Sequence, residues 1–362
     1  MGRYHGFART WRSITLLTAA CLLALASGTA AFADTTPTAP PPSSETTTPT
    51  VPPSSDVTPP APGPRPIARS VTAPIVARNY RAFPVSCIVS ATTPATVTVE
   101  YRRIIRGKAS AWRPLAQRVL ASPMASKRVA VSVRLRTRGL YQVRMSVSAS
   151  GCPGPTHTSS RRVRSVGSKV VALTFDDGPS GRTTPLVLAA LRSADAPATF
   201  FLTGRLAAAA PGTTRRIHAE GHLLASHSLA HRILTQLGGG ALASDLASGK
   251  RIVESISGQK VTWLRPPYGS TSPRVADAIR SAGMRQVLWT VDPQDWRGGS
   301  AGSIAGHVLS HTRDGSIVLM HDSGGQVATT GRAVPIILSG LKRRGYDCVN
   351  LDELAALGYR IR

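Results

Sequence analysis

Two aspartates, Asp176 and Asp177, lie side by side directly after the apolar run VVALTF at residues 170–175. Two like charges at the end of a buried strand repel each other, so a cation or a basic side chain is expected beside them. The segment HSLAH places His227 and His231 four positions apart, on one face if the segment is helical. One Asp with two His is a donor set that suits a hydrolytic divalent cation. One aspartate would then bind the cation, and the other would take a proton from water.

The elements that must position these residues alternate between strand and helix. Apolar runs at 170–175, 198–203, 286–291 and 316–321 predict strands, and the stretches 184–193, 213–220, 241–257 and 273–282 predict helices. This alternation is typical of a parallel α/β architecture. The polar motifs DD, VDPQDW and MHD follow predicted strands, and function in such folds gathers at the carboxyl ends of strands.

An earlier region, residues 67–166, has a different pattern. Apolar side chains alternate with period two around positions 97–101, 129–135 and 141–147, with turn residues between them. This pattern predicts a small antiparallel, all-β, sandwich-like domain. Cys87 lies in a strand-like run and Cys152 lies just past the last one, so a disulfide between them is expected in an exported protein. Cys348 is left over and is interpreted as a buried thiol.

The first 66 residues read as a targeting segment and a spacer. Residues 1–33 combine Arg3, Arg9 and Arg12, an apolar core, and the cleavage-like triplet Ala-Phe-Ala, which together predict a secretory signal peptide. Residues 34–66 are rich in Pro and Thr and predict a disordered linker. The protein is therefore expected to be secreted, and to act outside the cell or at the cell wall.

The net charge of +26 comes from 44 basic and 18 acidic residues, unevenly distributed. Residues 65–169 hold 20 basic side chains and one acid, Glu100, whereas residues 170–362 hold 21 basic and 14 acidic side chains. Such a surface predicts an anionic partner. Because export is expected, an anionic cell-wall polymer is favoured over nucleic acid, and the basic strands lack the interleaved aromatic residues of a single-strand binder.

Five motifs occur in order: TFDDGP, HSLAH, RPPYG, DPQDW and IVLMH, beginning at residues 174, 227, 265, 292 and 317. Together they resemble the polysaccharide deacetylases of carbohydrate esterase family 4, the NodB-homology domain. The resemblance covers about residues 170–360, within the predicted catalytic domain at residues 167–362. It implies a distorted, incomplete (β/α) barrel that removes acetyl groups from N-acetylated sugars. It also implies a catalytic divalent metal, usually Zn²⁺, with Co²⁺ or another divalent ion possible.

The resemblance assigns roles to the residues of the first three motifs. Asp177, His227 and His231 are expected to bind the metal. Asp176 is expected to be the general base. Arg265 is expected to pair with Asp176 and keep it ionised.

The remaining motifs supply the acid and the pocket. His321 is expected to be the general acid for the leaving amine, with Asp295 holding it. The backbone N–H of Tyr268 is expected to face the developing oxyanion. The substrate pocket is expected to be walled by Trp296, Leu319 and Pro267. Two departures, Ile317 for the commoner Leu and Arg232 for the commoner Pro, leave the catalytic set intact.

The polymer is left open by the motifs, because the loops between strands form the subsites. Peptidoglycan N-acetylglucosamine is the first choice, chitin or chitooligosaccharides the second, and acetylxylan, an ester substrate, the third. A different class of function also stands, a catalytically idle cell-wall-binding protein. Acetate release from purified wall, with and without a chelator, distinguishes these hypotheses.

Overall fold

The computed structural model describes residues 63–325 and 327–361, all within one compact unit. The predicted signal peptide at residues 1–33 and most of the predicted linker at 34–66 lie outside the described residues. Among the residues that the structure describes, no helix is both long and apolar enough to cross a membrane.

Residues 67–166 form two packed sheets. The strands are β1 (Ile67–Thr72), β2 (Val76–Arg78), β3 (Phe83–Ala91), β4 (Ala95–Ile105), β5 (Lys108–Ala109), β6 (Arg113–Leu120), β7 (Met124–Val133), β8 (Gly139–Ala149), β9 (Thr156–His157) and β10 (Arg161–Val166). One sheet has the order β1-β3-β7, and the other has the order β2-β10-β8-β4-β5 with β6 beside β4 and β9 beside β8. Alternate side chains of β3, β4, β7 and β8 share one buried cluster. The prediction of an all-β, sandwich-like region is confirmed.

The predicted disulfide between Cys87 and Cys152 is wrong, because both cysteines are free thiols in the structure. Cys87 lies within β3, opposite Val129 of β7, and is fully buried in the apolar core. Cys152 lies in the turn after β8, where its Sγ is 3.2 Å from the carbonyl oxygen of Pro64. One thiol is thus packed inside the sandwich while the other contacts backbone at its end. Burial raises the pKa of Cys87 to about 11, so it stays protonated.

The rest of the chain alternates strands and helices. The strands are β11 (Lys169–Asp176), β12 (Thr199–Leu202), β13 (Leu223–Ser226), β14 (Trp263–Leu264), β15 (Arg285–Gln286), β16 (Ser316–His321) and β17 (Tyr346–Val349). The helices are α1 (Thr184–Ser193), α2 (Gly204–Ala209), α3 (Pro211–Ala219), α4 (Gly239–Ser257), α5 (Pro273–Ser281), α6 (Ala301–His311), α7 (Ala328–Arg343) and α8 (Leu351–Ala356). The sheet order is β15-β14-β13-β12-β11-β16, with β17 beside β11, and the pairs are parallel.

The predicted strand at 286–291 is mostly absent, and its course explains why the barrel is incomplete. Gln286 is the last residue of β15, and Val287 N directly after it donates to Leu264 O of β14 at 3.0 Å. The segment then crosses to the other side of the barrel, where Thr290 N donates to Ile317 O of β16 at 2.9 Å. It changes partners within three residues and therefore cannot form a regular ladder. The expectation of a distorted, incomplete (β/α) barrel is confirmed.

Period-two alternation decides which strand residues face the barrel interior. On β11, Val171, Leu173 and Phe175 pack in the large outer cluster with the helices, whereas Val170 and Ala172 belong to a smaller inner cluster. By the same alternation, Thr174 and Asp176 also face the barrel interior. The chemistry of the site is therefore built at the upper end of the barrel interior.

The β region closes the lower end of that barrel. Val76 of β2 and Val166 of β10 belong to the same inner cluster as Val170 and Ala172. Beside them, Arg164 Nε bonds to Glu353 Oε1 of α8 at 2.8 Å, and both side chains are almost buried. Four predicted helices appear as α1, α3, α4 and α5, while α2, α6, α7 and α8 were not predicted.

Candidate active site

Asp176 lies at the carboxyl end of β11 and is 2% exposed. Its Oδ1 accepts a hydrogen bond from Arg265 Nη1 at 2.7 Å. Arg265 is wholly buried and also donates to Thr174 Oγ1 at 2.8 Å and to Leu288 O at 2.9 Å. Burial lowers the pKa of Arg265, and the contact with Asp176 offsets part of that effect. The guanidinium therefore neutralises one of the two adjacent aspartates and leaves Asp176 Oδ2 available.

Both histidines of HSLAH lie close to one oxygen of Asp177. Its Oδ1 lies 3.3 Å from His227 Nε2 and 2.9 Å from His231 Nε2. The three side chains offer ligand atoms within 4.8 Å of one another. HSLAH is not a helix: His227 follows β13, and the backbone of Ser228 and His231 has φ of 68° and 56°. The predicted cluster therefore forms, but through a loop instead of a helix face.

The donors of this cluster fit a divalent cation. His227 Nδ1 lies 2.7 Å from the carbonyl oxygen of Arg265, which can only accept, so Nδ1 donates and Nε2 presents a lone pair to the cluster. Asp177 Oδ1 is buried and has no hydrogen-bond donor among the described residues. Tetrahedral zinc with bonds of about 2.0–2.1 Å separates its ligand atoms by roughly 3.3 Å, close to the two contacts of Asp177.

The charge of Asp177 is also favourable to a cation. Burial raises the pKa of this carboxyl group, but where the rings of His227 and His231 are protonated, their N–H groups and positive charge outweigh burial and hold the pKa well below its usual range. A deprotonated carboxylate and two imidazole nitrogens are the forms in which these residues bind metal. Asp177, His227 and His231 therefore could hold a divalent ion.

His321 and Asp295 form a second pair on the other side of Asp176. Asp176 and His321 are register partners on the neighbouring strands β11 and β16. Asp295 is fully buried, and its Oδ1 lies 2.8 Å from His321 Nδ1 while its Oδ2 accepts from His321 N at 2.9 Å. Burial lowers the pKa of His321, but the hydrogen bond to Asp295 and the nearby aspartate charges raise it to about 9. His321 is thus held as a proton donor at neutral pH.

The residues predicted to form the oxyanion contact and the pocket differ in their exposure and in their position relative to the site. Tyr268 has φ of 61° inside the short 3₁₀ turn Pro267–Gly269, and its ring lies edge-on to His231 with centroids 4.6 Å apart. Leu319 lies two residues before His321 on β16 and is almost buried, so it shares the face of His321. Trp296 is 46% exposed, directly after Asp295. Pro267 is buried.

Several residues that contact or neighbour the site were given no role by the motifs. Thr330 Oγ1 of α7 donates to Asp295 Oδ2 at 2.6 Å. Thr174 belongs to the first motif, yet nothing local shows that its hydroxyl meets Arg265. Asp322 follows His321 and is fully buried beside Thr184, whose hydroxyl donates to it. Burial and the nearby aspartates raise the pKa of Asp322 to about 7.

Comparisons with known proteins identify a family and several relatives of this chain. A family model described as "Polysaccharide deacetylase" matches residues 164–287. A peptidoglycan-N-acetylglucosamine deacetylase of Listeria monocytogenes is 39% identical over 186 residues, which cover 51% of this chain and 39% of that protein. A chitooligosaccharide deacetylase of Azorhizobium caulinodans is 32% identical over 189 residues, covering 49% of this chain and 90% of that protein. The chain thus spans about two-fifths of the Listeria relative.

A solved structure named "T48 deacetylase with substrate" is also similar to this chain. It is 35% identical, with a TM-score of 0.50, and the match covers 54% of this chain and 94% of that chain.

Proposed function

The chain belongs to the polysaccharide deacetylase family, and we propose that it is an exported, metal-dependent enzyme that hydrolyses N-acetyl groups of amino sugars. The observation that carries the proposal is the pairing of Asp176 with His321 across β11 and β16. Asp176, the proposed base, is paired with Arg265, and His321, the proposed acid, is paired with Asp295. The base and the acid lie on neighbouring strands, beside the cluster around Asp177. Amide hydrolysis needs such a base and acid on the two sides of one carbonyl.

The first step is deprotonation of water. Asp177, His227 and His231 would hold the divalent cation, which we propose to be zinc. When bound, such an ion polarises a carbonyl group and lowers the pKa of water. Asp176 takes the water proton on Oδ2, because Oδ1 is occupied by Arg265. The buried guanidinium keeps Asp176 ionised until the proton arrives.

The hydroxide oxygen bonds to the acetyl carbonyl carbon, and the second step is cleavage of the C–N bond and departure of the amine. The acetyl carbonyl accepts a hydrogen bond from Tyr268 N–H, which stabilises the negative charge that develops on its oxygen. His321 protonates the leaving nitrogen from Nε2, because Nδ1 is engaged with Asp295. A sugar amine leaves as a neutral group only after it gains that proton. Trp296, Leu319 and Pro267 wall the space for the acetyl methyl group.

Peptidoglycan N-acetylglucosamine is the proposed substrate. The Listeria relative carries that activity in its name, and the predicted signal peptide would deliver the enzyme to the wall. Chitooligosaccharides are the second candidate, because the Azorhizobium relative is named for them. Acetylxylan remains the third. A panel of peptidoglycan, chitooligosaccharides and acetylxylan, scored by acetate release, ranks them.

We also propose that the β region binds an anionic cell-wall polymer. Of the 20 basic side chains in residues 65–169, Arg138, Arg144 and Arg164 form ion pairs with acids among the described residues. Exposed basic side chains remain available, such as Arg128 on the edge strand β7 and Arg134 directly after it. A basic edge strand also resists aggregation, so the polymer must be tested directly. Many weak contacts with the wall would raise the local concentration of substrate.

Metal removal tests the proposed activity. Dialysis of the purified full chain against a chelator should abolish acetate release, and zinc or cobalt should restore it. His227→Ala should lose bound metal and activity together, while His311→Ala on the surface of α6 should change neither. Full activity of a verified metal-free sample would overturn the mechanism. A metal-loaded protein that releases no acetate from any glycan would indicate the idle wall-binding protein instead.

A further inference from the structure

The loop that carries the two histidine ligands has an unusual backbone. Ser228 and His231 both have positive φ, at 68° and 56°, a region that residues with a Cβ rarely occupy. Such conformations persist only where the surroundings hold them. Ser228 Oγ accepts a hydrogen bond from His231 N at 3.0 Å, but this bond is internal to the loop. The direction of the His231 ring therefore depends on what the loop is fixed to.

A buried carboxylate on α4 holds the loop on both sides of His231. Asp245 is 1% exposed. Its Oδ1 accepts from Leu229 N at 2.8 Å, and its Oδ2 accepts from Arg232 Nη2 at 3.1 Å. One oxygen thus holds the backbone two residues before His231, and the other holds the side chain one residue after it. Asp245 has no part in the base, the acid or the ligand set.

The same face of α4 also allows the loop to approach closely. Gly249 follows Asp245 by four residues, so the two lie one above the other on the helix. A Cβ on Gly249 would come within 2.7 Å of Ser228 O. On the opposite side, Arg205 N at the start of α2 donates to Leu229 O at 2.9 Å. The loop is therefore seated between α4 and α2, and Asp245 supplies the one charged contact.

We propose that Asp245 is a positioning residue that sets the affinity of the metal site through the orientation of His231. The inference rests on the proposed role of Asp177, His227 and His231 as metal ligands. A carboxylate can accept from Leu229 and Arg232 at once. An asparagine of the same shape accepts with one atom only and presents an N–H₂ group to the guanidinium, so it loses one of the two contacts.

Asp245→Asn is the direct test, with zinc as the probe. The purified full-length apoprotein is titrated with zinc against a competing chelator. We expect about 10- to 100-fold weaker zinc binding, the loss typical when a group that orients a ligand is changed. At saturating zinc, kcat should stay close to that of the wild type, because Asp245 touches neither substrate nor the reacting atoms. Asp277→Asn on exposed α5, which breaks an ion pair with Arg280, is the matched control and should bind zinc like the wild type.

Arg232→Gln provides a second, milder variant in case Asp245→Asn does not fold. It removes one contact of Asp245 and keeps the other, so it should weaken zinc binding by less than Asp245→Asn, and a cooperative thermal unfolding transition of the apoprotein shows that the variant is folded. Equal zinc affinity in the wild type and in either variant would overturn this inference alone. A wild-type protein that binds no divalent cation would overturn the proposed function itself.

Discussion

The β region and the α/β barrel use charged residues in opposite ways. In the β region one acid, Glu100, accompanies 20 basic side chains within residues 65–169, and most of them face solvent without an acidic partner among the described residues. In the barrel the central charges are buried and paired, Arg265 with Asp176 and His321 with Asp295. The first arrangement creates a field that acts at a distance and is screened by salt. The second fixes individual atoms at contact distance.

This difference predicts how strongly each region should respond to a substitution of a charged residue. An exposed charge contributes about 0–1 kcal/mol to any one contact, because water and ions screen it. A buried charge is held by specific partners, and removal of one partner leaves the other desolvated. The barrel should therefore respond sharply to single changes, and the β region should respond to the number of charges changed.

The largest expected effect separates the two adjacent aspartates. Asp176→Asn should keep zinc bound and lower kcat by about 100- to 10,000-fold, because the base is lost while the ligand set is intact. Asp177→Asn should instead weaken zinc binding. Steady-state kinetics and metal analysis of both variants check this. If Asp176→Asn lost zinc and Asp177→Asn retained it, the two roles would be reversed.

The junction between the two regions should give the next largest effect. Arg164→Gln removes one partner of the nearly buried pair with Glu353, and we expect a loss of about 3 kcal/mol in the free energy of unfolding. Urea unfolding measures it, with Arg280→Gln at an exposed pair as the control. Activity per folded molecule should not change. Equal stability of the two variants would mean that the Arg164–Glu353 pair contributes no more to stability than an exposed ion pair.

The pairing of His321 with Asp295 should appear in the pH dependence. His321 donates its proton only below its pKa, which is raised to about 9, so activity should fall as the pH rises through that value. A bound cation would offset the aspartate charges, and the pKa of His321 and the fall in activity would then lie at a lower pH. Asp295→Asn removes the largest raising influence, so the alkaline limb should move down by about one pH unit or more. Asp292→Asn, whose partner is the backbone N–H of Gln294, is the control. An unmoved limb would assign the acid to another group.

The smallest effect is expected from the β region. Arg128→Gln with Arg134→Gln should weaken binding of the full chain to anionic wall polymer about two- to fivefold at low salt, because each exposed charge adds little. Sedimentation with isolated wall, repeated over a salt series, measures it, and binding should weaken steeply as salt rises. Arg274→Gln with Arg280→Gln on α5 is the control of equal charge. Salt-insensitive binding would indicate a specific sugar pocket instead.

Much of the site was predictable because its residues are local to strand ends. Each of the five motifs contributes a side chain to one end of the barrel, since the carboxyl ends of parallel strands meet at the same edge of a sheet. Asp176, Asp177, His227 and His231 follow directly from that rule. The helical geometry considered for HSLAH is not the one found, because two histidines four positions apart can also meet at one point through a strand end followed by a loop with positive φ.

By itself, the sequence determined the class of each region, the order of the motifs and the contrast in charge, because burial periodicity and composition are local properties of the chain. Only the tertiary structure decided which distant groups become partners. In the structure Thr330 contacts Asp295, and Asp245 contacts the loop of His231. Cys87 and Cys152 are not bonded to each other, and the segment 287–291 bonds first to β14 and then to β16. These outcomes depend on sheet register and helix packing, which bring together residues far apart in the chain, and no local pattern records that choice.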